Sequence, residues 1–175
     1  MAPTDLHAQR RPERDARFAL ALAAGPVVWI ALGTWLGWGA PAVWRNHLGG
    51  LLWLGLLLPA LEELAFRGGI QDFLGRRTSR RWGPLSAANL GTSTLFAALH
   101  GWSHPPLWAA AVVPPSLVFG YFRERCSCLR APIALHAFYN CGYFLLLYVP
   151  GGRESAGALR SSSSTRKATA ASSAQ

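Results

Sequence analysis

Long apolar runs separated by short basic stretches dominate this chain. Phe18 to Trp44 carries no Lys, Arg, Asp or Glu over 27 residues, Trp82 to Phe122 none over 41, and Ala131 to Gly152 none over 22. A membrane-crossing helix needs roughly 20 predominantly apolar residues. The pattern therefore predicts an all-α fold, a polytopic membrane bundle of about five transmembrane helices. The first is expected over Phe18 to Trp38, ended by Gly39-Ala40-Pro41, and the second over Leu48 to Leu74. The third is expected over Pro84 to His100. The fourth is expected over Leu107 to Phe122, broken or kinked at Pro114-Pro115, and the fifth over Ala131 to Tyr148. One segment does not fit simply. Asn46 to Leu61 is uncharged for only 16 residues. It reaches spanning length only if the following Glu62, Glu63 and Arg67 lie inside the membrane. Pro59, three residues before Glu62, removes a backbone donor. It is expected to bend this helix and free carbonyls one turn earlier, which is tolerated at membrane depth where a cavity is lined.

Composition agrees with that reading. Only 14% of residues are charged and 51% are apolar, whereas soluble domains carry about a quarter charged residues. The net charge of +9 comes from 17 basic and 8 acidic residues. The basic residues flank the apolar runs, the pattern of topology signals and anionic headgroup contacts rather than of nucleic-acid binding. Counting Lys and Arg near helix ends puts the N-terminus on the cytoplasmic side, because Arg45 alone falls in the outer short loops. Residues 1–17 form a polar cytoplasmic segment without a cleavage pattern, so the first helix is read as retained. Residues 18–150 form the transmembrane domain, and the Ser/Ala-rich stretch 151–175 reads as disordered. Cys126, Cys128 and Cys141 make no disulfide framework and no zinc-knuckle spacing.

Ionisable residues within apolar helices are expensive and mark function. Glu63 and Arg67 are i,i+4 partners on one helix face. Glu62 points about 100° away, so one carboxylate can be held by the arginine while the other does chemistry. Phe96 and His100 repeat the spacing on the third helix, and His136 and Asn140 repeat it on the fifth. A lone charge cluster of this kind is as readily a group snorkelling to the interface, and a lone intramembrane histidine is more often simply packed. Three polar pairs on three helices are a different matter: left without shared partners they would cost several kcal/mol, so they are expected to converge on one wet site. A buried carboxylate can act as general base on water. Histidines can orient that water, pass protons or bind a metal, and an asparagine amide can donate to an oxyanion. No serine or cysteine nucleophile stands in an obvious arrangement, so attack by water is the economical chemistry. Simple alternation of the helices leaves His100 and His136 at depths roughly 15 Å apart.

Glu-Glu-x-x-x-Arg, Phe-x-x-x-His and His-x-x-x-Asn in this order resemble the CPBP family of CAAX prenyl endopeptidases and bacteriocin-processing intramembrane proteases, also called the Abi family. The resemblance covers about residues 46–150. It implies a glutamate-dependent endopeptidase acting on a membrane-associated or C-terminal peptide segment, such as a protein-sorting signal. Carried over by motif, Glu62 activates water with help from His100, Glu63 and Arg67 set its field, and His136 and Asn140 stabilise the oxyanion, with Phe96 in support. No cofactor is expected. If zinc were used, Glu62, His100 and His136 would be its ligands. The expected partners are the bilayer and a membrane protein or peptide substrate, in a bacterial inner membrane. Two other classes stay open: a non-catalytic membrane immunity or binding protein of the same fold, and a proton-coupled carrier, which would need a repeat symmetry not seen in the chain.

Overall fold

The computed structural model describes residues 12–36 and 48–146. The expectations for residues 1–11, the end of the first helix at Trp38, Tyr148 and the tail 151–175 lie outside the described residues. A single 3₁₀ turn, Pro12–Arg14, leads into helix α1, Ala16–Leu36. Helix α2 is one continuous helical run, Leu48–Gly75. It is not regular: two stretches, Trp53–Leu57 and Leu64–Gln71, are wound as π-helix on either side of Leu58–Glu63. Strands β1, Arg81–Trp82, and β2, Leu85–Ser86, form a small antiparallel hairpin. Helices α3, Ala87–Ser103, α4, Pro106–Ala111, α5, Val113–Cys126, and α6, Arg130–Leu146, complete the described chain.

The fold is mostly helical, with three departures from the expected elements. The basic loop after α2 contains the hairpin, turned by Gly83 at φ +57, a left-handed conformation that glycine adopts without steric penalty. Because the hairpin takes up Pro84, the third helix starts at Ala87. Ser86 caps it, its Oγ accepting from the Asn89 amide at 2.9 Å. The break in the fourth segment falls at Val112, ahead of Pro114-Pro115. Those prolines sit in the first turn of α5, where a missing N–H leaves no intrahelical bond unmade.

Packing is inverted relative to a water-soluble domain. Glu63, Arg67, Gln71, Asn89, Thr92, Ser93, Ser116 and His136 are buried, while Leu20, Val28, Ile30, Trp53, Leu57, Leu61, Leu64 and Leu99 are exposed. Charged side chains are almost never fully buried in soluble proteins unless paired, and an apolar exterior of this extent needs an apolar solvent. Helix α1 over Ala16–Thr34 and helix α2 over Leu48–Gly75 are each long and apolar enough to cross a bilayer. With the matching apolar surface, they describe an integral membrane protein.

The apolar core is small and lies at one end, where Phe18, Phe119, Phe122, Cys126, Ala131 and Leu135 meet. Ion pairs gather at the same end. Arg123 Nη2 donates to Asp72 Oδ2 at 2.6 Å and Arg81 Nη1 to Glu124 Oε2 at 3.0 Å, while Arg125 bonds Asp15. The start of α1, the end of α2, the hairpin, the end of α5 and the start of α6 thus share one basic end. The Arg125 hydrogen bond holds the Asp15 carboxyl below its ordinary 3.8. A lowered carboxylate contributes stability above its ordinary pKa and loses it only as the pH falls through the lowered one, so this tie is intact at neutral pH.

Helix α1 packs along α6: Trp29 lies against Phe138, and the Tyr139 hydroxyl donates to the Ala21 carbonyl at 2.6 Å. Helix α5 approaches α3 and α2 closely at Gly120, where an added Cβ would lie 1.9 Å from Asn89 Oδ1 and 2.8 Å from Gln71 Oε1. Asn89 cannot swing aside freely, because its Nδ2 donates to the Leu117 carbonyl and its Oδ1 accepts from Ser93. Gly120→Ala is expected to destabilise the bundle by about 1–3 kcal/mol through overpacking. The measurement is the thermal midpoint of the detergent-solubilised protein, and an unchanged midpoint would refute the close approach.

Candidate active site

The site is built on α2, where Pro59 and the π segments disturb the backbone ladder. In π register the Leu58 amide donates to Trp53 O, so the next amide in line would serve Leu54 O. Residue 59 is proline and has none. The free Leu54 carbonyl instead accepts from Asn140 Nδ2 of α6 at 3.2 Å, and the neighbouring Gly55 carbonyl accepts from the Cys141 thiol at 3.5 Å. The carbonyls that proline was expected to free are thus satisfied by α6. This pins α6 beside the glutamates, and π turns of this kind recur at functional sites.

One turn further on, Glu63 is wholly buried. Arg67 Nε donates to its Oε2 at 3.2 Å, and His136 Nδ1 lies 2.8 Å from its Oε1. A carboxylate only accepts, so His136 Nδ1 carries the proton and donates. That contact aims the opposite nitrogen, Nε2, at Glu62, whose Oε2 is 3.6 Å away. Adjacent carboxylates diverging by 100° do share a partner, unequally, because the imidazole has two ends. The ring is held flat against Phe119, with centroids 4.8 Å apart, and edge-on to Phe96 at 5.9 Å. Glu62 differs from Glu63 in exposure: its side chain is 23% accessible against 0%. At 3.6 Å the two atoms are too far apart for a direct hydrogen bond, and the partly open carboxylate leaves a face that a water can reach.

His100 reaches the same neighbourhood by a route that alternation of the helices did not suggest. Helical side chains lean toward their own N-terminus. His100 Nδ1 is tied to the Phe96 carbonyl one turn earlier, at 2.9 Å, and its ring packs on Phe96 at 4.4 Å. Phe96 touches both imidazoles, since its ring also lies 5.9 Å from that of His136. A carbonyl also only accepts, so His100 Nδ1 is the donor in this contact. The Glu62 carboxylate is within electrostatic reach of both His136 and His100.

Behind the glutamates runs a chain of polar side chains. Arg67, itself wholly buried, donates through Nη1 to Gln71 Oε1 at 3.2 Å and Ser93 Oγ at 3.5 Å, and through Nη2 to Ser116 Oγ at 2.5 Å. Gln71 Nε2 passes on to the Gly120 carbonyl at 3.0 Å and to Glu124 Oε1 at 2.8 Å. Gln71, Ser93 and Ser116 were not singled out in the sequence. For Gln71 a signal existed, since it continues the Glu63, Arg67 ladder by another four residues. Ser93 lies among small residues whose presence close helix packing already explains, and Ser116 follows the Pro114-Pro115 pair with no spacing signal of its own. Among the described residues no three His, Cys, Asp or Glu side chains form a group able to hold a metal ion. Glu62, His100 and His136 do not form such a group, and no step below is routed through a metal.

A helical membrane protein with a paired acid–imidazole centre inside an apolar shell is the class that fold and site define together. Residues 44–142 match the model of the Rce1-like family of type II CAAX prenyl endopeptidases. The match covers more than half of the chain, and the chain belongs to this family. No curated protein matches it, and no solved structure matches it.

Proposed function

We propose that the protein is a glutamate-dependent intramembrane endopeptidase that cleaves near the C-terminal or membrane-associated end of a peptide substrate. The observation that carries this reading is His136 bridging the two glutamates, Nδ1 on Glu63 and Nε2 facing Glu62. Glu63 and Arg67 fix the imidazole, and Glu62 is left partly open beside it. In the reaction, Glu62 takes a proton from a water hydrogen-bonded to its exposed side, next to His136. The hydroxide adds to the scissile carbonyl, and Glu62 returns the proton to the departing amine. His136 donates to the oxyanion when its Nε2 carries a proton, with the second amide proton of Asn140 beside it. His100 assists proton transfer. The membrane arrangement that fits is five spans with the basic end cytoplasmic, in a bacterial inner membrane, and processing of protein-sorting signals is the role in view.

The test is cleavage by the full-length protein, reconstituted in nanodiscs, of lipid-anchored and transmembrane-anchored peptides with free C-terminal extensions. Mass spectrometry identifies any new C-terminus. A defined cut in at least one substrate class supports the reading, and intact peptides throughout overturn it. Cleavage is expected to proceed at an unchanged rate in excess chelator. Loss of activity in chelator with recovery on added zinc would replace the metal-free mechanism.

A further inference from the structure

At the basic end, away from Glu62, a second cavity of about 340 Å³ is lined by Arg17, Arg81, Pro84, Tyr121, Glu124 and Arg125. Three guanidinium groups meet one carboxylate there, and that carboxylate is turned inward. Glu124 Oε1 accepts from Gln71 and Ser86, and its Oε2 accepts from Arg81. Arg125 is tied to Asp15 and lies over the Tyr121 ring, 5.9 Å from its centroid. The Arg17 guanidinium is held by a neutral partner, the Tyr121 hydroxyl. Tyr121 thus positions two arginines around one opening.

Location decides what such a pocket takes. Arg17 is the second residue of α1, whose apolar span begins at Ala16, so the cavity sits at the level where the hydrocarbon ends and headgroups begin. It is also sealed from the glutamates. Gln71, Arg67 and Glu63 fill the two helical turns between, with Gln71 2% exposed and the other two at 0%. Guanidinium forks match the oxygens of a phosphate, and basic pockets between helices at this depth suit anionic headgroups.

We propose that Arg17, Arg81 and Arg125, arranged around Tyr121, bind the phosphoryl oxyanion of an anionic glycerophospholipid as a discrete site. The proposal rests on membrane insertion and not on peptide hydrolysis, so it stands or falls separately from the reading above. The experiment is native mass spectrometry of the full-length, delipidated protein titrated with phosphatidylglycerol or phosphatidylcholine. One phosphatidylglycerol is expected to bind in preference to phosphatidylcholine, with about tenfold weaker binding in Arg17→Gln. Should that variant not fold, Arg81→Gln reads the same pocket from a half-exposed position on the hairpin. Arg77→Gln, outside the pocket, is expected to bind as the unaltered protein does. No preference for the anionic lipid, or an equal loss in Arg77→Gln, would overturn the site. Displacement of the lipid by equimolar inorganic phosphate, or by a peptide with a free C-terminal carboxylate, would overturn its assignment to lipid.

Discussion

Glu62→Gln is expected to lower the turnover of peptide cleavage by about 10²- to 10⁴-fold, the range of a lost general base, while the protein still inserts and folds. The two glutamates divide the work. Glu63 is wholly buried and engages both Arg67 and His136, so its charge is structural as well as chemical. Glu62 keeps a partly open carboxylate 3.6 Å from His136 Nε2. Glutamine preserves its shape and removes only its capacity to accept a proton. Turnover and thermal midpoint should be read on the same preparation. A Glu62→Gln protein retaining activity within tenfold of the unaltered one would sink the water-activation mechanism. Normal folding and insertion with every peptide left intact, before and after the substitution, would favour the binding-protein alternative.

Much of this centre was legible before any coordinates, because helical periodicity converts spacing into direction. Glu63 with Arg67, Phe96 with His100, and His136 with Asn140 each announce a shared face by separation alone. Pro59 announced freed carbonyls, and Asn140 and Cys141 prove to be their acceptors' partners. Other features have no periodic signature. Nothing in Leu64–Gln71 distinguishes a π-wound turn from an α turn, since the difference is one residue in hydrogen-bond register. The hairpin at Arg81–Ser86 is too short for alternation to show, and a basic loop was the natural reading. Ser93 reads as one more small packing residue and Ser116 carries no signal, and only the arrival of Arg67 from another helix gives them a polar task. The tie of His100 Nδ1 to the Phe96 carbonyl has no signature in spacing, because a side-chain rotamer decides it.

Arg67→Met should be the most destabilising single change in the described chain, at about 3–5 kcal/mol, the usual loss when one member of a buried ion pair is removed. Methionine has comparable length and leaves little cavity, so the effect is electrostatic. Glu63 would be left as a buried charge with only His136 beside it, and Gln71, Ser93 and Ser116 would lose their common donor. Adding Glu63→Gln removes that stranded charge, and the double variant is expected to recover more than 1 kcal/mol of the loss. Unfolding in mild detergent, taken through the full double-mutant cycle, measures this coupling. Strictly additive effects would mean that the pair is not a unit in the membrane. Activity should part company with stability in the same cycle. A neutral amide at position 63 holds the His136 Nδ1 proton more weakly than a carboxylate does, so the imidazole loses its orientation toward Glu62. The double variant is therefore expected to regain its fold without regaining cleavage, a split that a purely structural role for Glu63 and Arg67 would not produce.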